Sequence, residues 1–263
     1  MAVAIRNYSF RFNLKGKPVF VPSKTGRRIG EEIKAAVEEA YTFDENYFHL
    51  RRGGHVAALH YHRDSEWFAR IDITRFFYSV SRRRVQSALD RAGLKGARFF
   101  AQWSTVRNPY DEPSYALPYG FVQSPVLASL VIATSRVGDH LRALDPAIKA
   151  SVYMDDIALS GPDKDALQVA YDDTIALLND EGFQANPEKL RPPSGSMDIF
   201  NCDIAEGRSV VRDDRIEDFL AGSPSEASEA AFLAYCASVE HGNANVTQSV
   251  TQPGPACPQT HEI

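Results

Sequence analysis

The chain has 263 residues, 44% of them apolar and 24% charged, with a formal net charge of −5. That length suits one large domain or two small ones with a substantial core. No run approaches the roughly 18 apolar residues of a membrane span, and "MAVAIRNYSF" lacks an apolar signal core, so a cytoplasmic protein with no membrane partner is expected.

In chain order, "YSFRFNLKGKPVFVPS" alternates apolar and polar residues around Lys15-Gly16-Lys17, which predicts a hairpin with a basic turn. "GEEIKAAVEEAY" has helical spacing, with acidic residues in its expected first turn. "HLRRGGHVAALHYH" reads as a basic turn leading into a short helix, and "EWFARIDI" as a buried strand ending at Asp72. "RRRVQSALDRAG" predicts a basic amphipathic helix stopped by Gly93. "SPVLASLVIATSRVGDHLRAL" predicts one long helix with Ser124 as N-cap and Pro125 at its first position. "SVYMDDIALSG" reads as a hairpin, "DKDALQVAYDDTIALLNDEG" as a helix, and "MDIFNCDI" with "GRSVVRDD" as a final pair of strands. A last helix is expected within 221–243, and residues 244–263 read as a disordered tail. The order predicts an α+β fold with an antiparallel sheet.

Charge divides unevenly. Residues 1–110 hold 20 Lys and Arg against 10 Asp and Glu, whereas residues 111–220 hold 9 against 20. Such a split suits a cleft with one wall for a polyanion and the other for cations. Cys202, Cys236 and Cys257 fit neither a zinc spacing nor a disulfide framework, as in a reducing compartment. His55, His60 and His62 lie close together, but no cysteine or acid completes a zinc set.

Asp155 and Asp156 stand side by side at the predicted hairpin tip, where like charges raise each other's pKa unless a cation holds them. Asp72 closes an apolar strand 83 residues earlier. Strand-end carboxylates on neighbouring strands could jointly bind Mg²⁺, with substrate phosphates completing the coordination. Two such ions serve phosphoryl transfer.

In order, "RIDITRFF", "LPYGFVQSPVLASL", "VYMDDIAL", "NPEKL" and "IFNCDI" resemble the palm motifs of reverse transcriptases. "GKPVFVPS" and "HLRRGGHVAAL" resemble fingers segments of bacterial retron and group II intron enzymes, closest in flavour to the defence-associated ones. The resemblance spans roughly residues 10–220. It implies a right-hand polymerase fold: fingers over 1–65 with part of 80–115, a palm over 66–220, and a minimal thumb-like helix or none. It also implies RNA-directed synthesis of DNA from dNTPs with two Mg²⁺ ions, for which Mn²⁺ could substitute.

Carried over residue by residue, the resemblance makes Asp72, Asp155 and Asp156 catalytic and metal-binding, with the Ile73 backbone beside them. Thr74, Phe77, Tyr119, Gly120, Lys15 and Lys17 would contact the nucleotide, Phe77 as the aromatic gate under the sugar. Pro118, Ser124 and Pro125 complete the pocket motif, and Arg27 or Arg28 are further triphosphate candidates. Lys189 would protonate the pyrophosphate leaving group, and Asn201 and Cys202 would grip the primer. The implied partners are an RNA template (a dedicated non-coding RNA among the options), the DNA product, and a protein partner or second copy replacing the thumb.

Two departures stand out: Tyr119 occupies a position where many relatives have Gln, and no basic residue follows position 220. Template-independent or repeat-limited DNA synthesis by the same site, and a non-catalytic RNA-binding scaffold, are the alternatives.

Overall fold

The computed structural model describes residues 6–244. Its first element is a hairpin of β1 (Tyr8–Leu14) and β2 (Lys17–Pro22), followed by helices α1 (Lys24–Ala40) and α2 (Gly54–His62). Strand β3 (Trp67–Asp72) leads through a single turn, α3 (Phe76–Ser79), to α4 (Arg82–Arg91) and α5 (Ala97–Ser104). A short ribbon of β4 (Val106–Arg107) and β5 (Tyr115–Ala116) precedes α6 (Ser124–Ala133) and α7 (Arg136–Ala143). The hairpin β6 (Lys149–Tyr153) and β7 (Asp156–Gly161) is followed by α8 (Lys164–Asp180) and β8 (Arg191–Ser194). Strands β9 (Ser196–Ile199), β10 (Cys202–Ala205) and β11 (Arg208–Val211) and helices α9 (Asp213–Ala221) and α10 (Glu226–Glu240) complete the described chain.

The central sheet runs β6-β7-β3-β8, all antiparallel, with Ile71 opposite Ile157 and Asp72 opposite Asp156. Side chains alternate across a strand, and both faces are occupied. Ala69, Ile71, Ile157 and Leu159 join the large core formed with α1, α4, α6, α7 and α8. Phe68 and Ala158 point the other way, into a smaller core with Leu59 of α2, the β9–β11 sheet and Val239 of α10. Truncating a large-core residue such as Ile71 to alanine would cost about 2–5 kcal/mol. This two-sided burial makes β3 and β7 near-continuous apolar runs that nonetheless end in carboxylates.

Three local expectations are corrected. Helix α1 begins at Lys24, where the Ser23 hydroxyl accepts from the Gly26 N–H at 3.0 Å, so Glu31 and Glu32 lie mid-helix rather than in the first turn. The long helix from Ser124 is two helices, and Ser124 is a helical residue whose hydroxyl donates to Pro118 O at 2.8 Å. It breaks because Thr134 Oγ1 donates back to Leu130 O while Ser135 caps α7 through Val137 N–H. "MDIFNCDI" is two strands turning at Phe200-Asn201, giving a three-stranded sheet with β11.

Helix α10 packs on β11 and α2. Residues 46–62 are bound to the central sheet: Asn46 O accepts from Val152 N–H at 2.8 Å, and His62 bridges Ser151 and Ser160 at 2.7 Å each. No helix among the described residues is long and apolar enough to cross a membrane. Of the expected tail over 244–263, Ala244 donates its N–H to Gly207 O at 3.1 Å, and residues 245–263, with Cys257, lie outside the described residues.

Candidate active site

Strand β3 delivers Asp72 and the β6–β7 turn delivers Asp155 to one pocket of about 210 Å³. Its lining includes Lys17, Thr74, Arg75, Tyr110, Tyr119 and Lys189. Asp72 is buried; its carboxylate accepts from Lys189 Nζ at 2.7 Å and Asn186 Nδ2 at 3.2 Å. The Ile73 N–H donates to Asp155 O at 2.9 Å, which ties the strand end to the hairpin tip. Thr74 N–H donates to Gln184 O at 2.8 Å.

Burial pushes the Asp155 carboxyl up, and the nearby Asp72 adds repulsion that Lys17 and Lys189 only partly offset. A buried and a half-buried carboxylate whose repulsion the two lysines offset only in part are a fitting place for a divalent cation. Asp156 departs from the expected ligand set. Its Oδ1 accepts from both Arg70 Nε and Nη2 at 2.8 Å, and Arg70 also reaches Asp198. Burial nevertheless pushes Asp156 up to about 6 against the pull of Arg70, with Asp155 and Asp72 contributing. Among the described residues, no three acids, imidazoles or thiols converge as a metal-holding set.

The nucleotide candidates separate. Lys17 lines the pocket, with its ammonium 5.4 Å from the Tyr119 ring centroid. Lys15 sits at the exposed hairpin turn, outside the lining. Phe77 is buried and does not line the pocket; its ring meets Tyr119 edge-on, centroids 4.8 Å apart. Tyr119 therefore holds the place on the pocket wall expected of Phe77. Gly120, at φ 100°, sits where an added Cβ would lie 2.2 Å from Phe20 O, so the fingers hairpin can lie against the palm only if this residue is glycine. Arg28 pairs with Glu32 on the surface, and neither it nor Arg27 lines the pocket.

The primer-grip candidates also part. Asn201 is exposed at the β9–β10 turn at φ 59°. Cys202 is fully buried, its thiol 3.6 Å from Tyr235 Oη, so it reaches no primer: the strand alternation that exposes position 201 turns position 202 inward. The histidines go to separate partners: His55 to Tyr235 Oη, His60 to Val239 O and His62 to two serines.

One positioning residue escaped the sequence reading. His49 Nδ1 accepts from the Met154 N–H at 3.3 Å, at a turn residue forced to φ 57°. That contact goes with the proton on Nε2, which lies 2.8 Å from Ser129 Oγ, itself donating to Pro125 O, while Nδ1 also lies 3.4 Å from Val152 O, a longer contact that the other tautomer would serve. Burial lowers the His49 pKa to about 4, so the ring is neutral at pH 7. Its only sequence signal was a histidine beside a basic turn, and the partner lies 105 residues away.

Residues 14–198 match the model of the family described as reverse transcriptase (RNA-dependent DNA polymerase). The chain belongs to that family. Over 79 residues it is 33% identical to the Gag-Pol polyproteins of Avian leukosis virus subgroup A (isolate RSA) and Rous sarcoma virus subgroup B (strain Schmidt-Ruppin). The match covers 30% of this chain and 5% of each polyprotein. Among solved structures, telomerase from Candida albicans superimposes with a TM-score of 0.49 at 10% identity, covering 68% of this chain and 36% of that one. A foamy viral protease-reverse transcriptase in complex with an RNA/DNA hybrid gives 0.45 at 16% identity, covering 68% and 22%.

Proposed function

We propose that this chain is an RNA-directed DNA polymerase that extends a primer end with dNTPs. The observation that carries the reading is the Asp72–Asp155 pair facing Lys17 and Lys189 across one pocket, within a chain of the reverse transcriptase family. Asp72 and Asp155 would hold Mg²⁺, or Mn²⁺ in its place, with Asp156 a supporting carboxylate held by Arg70. When bound, such ions activate the attacking hydroxyl and stabilise the leaving oxygen.

The chain's own residues bind and orient. Lys17 offers a cation to the triphosphate from the fingers side. Tyr119 shapes the floor for sugar and base. Lys189 Nζ carries a proton that the departing pyrophosphate can take, beside the carboxylate that now holds it. The template is RNA and the product DNA. The motifs "LPYGFVQSP" and "HLRRGGH" support a bacterial, defence-associated setting in the cytoplasm, with a structured RNA, a protein partner or a second copy as further partners.

The test is primer extension by the purified chain on a defined RNA template, with the products sequenced. Products complementary to the template support the reading. Tyr119, where many relatives have Gln, favours one alternative, and DNA made without complementarity would establish that alternative, untemplated synthesis, instead.

A further inference from the structure

Helix α4 carries Arg83, Arg84, Ser87 and Arg91 into a second cavity of about 290 Å³. Ser135 and Thr134, at the break between α6 and α7, close its far side, and Glu181 is the single acid in its lining. Among the described residues, none of the three arginines lies within ion-pair distance of a carboxylate. Arg84 is half-buried, its guanidinium 4.4 Å from the Phe183 ring centroid and its Nη1 donating to Ser79 O at 3.3 Å. Burial lowers its pKa, and the Glu181 carboxylate offsets this only in part. Arginines held this way present fixed forks suited to phosphate oxygens.

The position of this cavity narrows the ligand. A third cavity, of about 510 Å³, shares Thr74, Arg75, Tyr78 and Tyr110 with the catalytic pocket and extends to Ser79 and Gly182. Arg84 lines the arginine cavity and donates to Ser79 O in the wall of this third one, so its guanidinium stands between the two. We propose that the arginine cavity binds phosphodiester groups of the single-stranded nucleic acid leading to or from the catalytic pocket. Free pyrophosphate has the same anionic chemistry and is distinguished below. The inference takes the ligand's class from the proposed function, but its test reads binding alone, without dNTPs, so failure of the polymerase assay leaves it standing.

The experiment measures binding of a 20-nucleotide RNA across a salt series, for the wild type and for Arg83→Gln/Arg91→Gln, whose two arginines are both exposed. Removing two phosphate contacts should flatten the log–log salt slope by about 1.4, at roughly 0.7 per contact for a single strand. Lys164→Gln/Arg208→Gln, which removes the same charge outside the cavity, should leave the slope unchanged. Equal slopes in the arginine variant and the wild type overturn the proposal. So does an equal flattening in the control pair, which would make the effect one of net charge. Calorimetric titration with pyrophosphate separates the sources: a signal lost in the arginine variant while its RNA binding stays intact would also overturn it, in favour of a free anion.

Discussion

The fingers hairpin and the catalytic hairpin share one local design and differ in everything around it. Each closes on two residues, Lys15-Gly16 in β1–β2 and Met154-Asp155 in β6–β7, with a non-glycine residue at positive φ, 49° and 57°. The fingers turn adds Gly16 at φ 77°, the pattern of a type I′ turn, which suits the twist of its strands. The catalytic turn puts Met154 where glycine is preferred, a conformation that costs on the order of 1–3 kcal/mol. Around β1 every residue is exposed, whereas β6 and β7 are sandwiched between two cores and braced at the tip by His49. The hairpin that carries Asp155 is packed on both faces and braced at its tip. The β1–β2 hairpin is held through β2, from beside its turn to mid-strand, where Tyr78 Oη donates to Pro18 O at 2.6 Å and Phe20 N–H to Tyr119 O at 2.9 Å.

The largest effect lies at the braced tip. Asp155→Asn, and equally Asp72→Asn, should abolish dNTP incorporation, a loss of about 10³-fold or more if the bound ions supply several kcal/mol. Asp155→Asn should also raise the melting temperature of the metal-free protein at pH 7. Its native carboxyl titrates above the ordinary aspartate value near 4. The folded state therefore holds that proton more tightly than the unfolded one, and wild-type stability falls as pH rises through the native pKa. The advantage of the variant should shrink as pH is lowered towards 4. An active Asp155→Asn enzyme would remove the carboxylate from the chemistry.

The brace itself comes second. An asparagine at position 49 can place its amide oxygen where Nδ1 accepts from Met154, whereas a glutamine amide overlays the Nε2 side. His49→Asn should retain most activity, and His49→Gln should lose about 10²-fold in kcat, the scale for a catalytic group displaced by about 1 Å. KM for dNTP should change little in either. If the two substitutions fall equally, His49 only fills space.

The fingers hairpin should respond less. Lys17→Ala should raise KM for dNTP roughly tenfold, the worth of one exposed charge-assisted contact of about 1.5 kcal/mol. Lys15→Ala, one turn position away and outside the pocket, should leave KM unchanged. If the two lysines behave alike, the hairpin senses only bulk charge.

These contrasts also mark what the sequence could convey. Strand β3, the β6–β7 hairpin and the antiparallel sheet were legible because short apolar runs and a polar turn signal sit within a few residues of each other. The pocket motif located Tyr119, and the carboxylates were located by their order along the chain. Three things were not legible, the first two because they depended on distant partners. Arg70 takes Asp156 from 86 residues away, and nothing near "VYMDDIAL" announces it. His49 reaches Met154 across 105 residues. The break after Ala133 turned on whether the Thr134 and Ser135 hydroxyls bond back to the helix or cap the next one, and local sequence leaves that open.

The smallest effect concerns the contact between the two hairpins' territories, Phe77 against Tyr119. Had the Phe77 ring lined the pocket, its removal would have opened space directly under the sugar. It packs against Tyr119 instead, so it acts on the sugar through that ring. An edge-to-face aromatic pair contributes about 0.5–1.5 kcal/mol beyond area burial. Losing it in Phe77→Val should let Tyr119 shift and lower the preference for dNTP over rNTP by about two- to tenfold, at 1.4 kcal/mol per decade. Tyr119→Ala, which opens the wall itself, should lower it further. Single-nucleotide incorporation with each triphosphate measures both ratios. A loss beyond a hundredfold in Phe77→Val would place that ring directly against the sugar. An unchanged ratio in both variants would move sugar selection off this wall altogether.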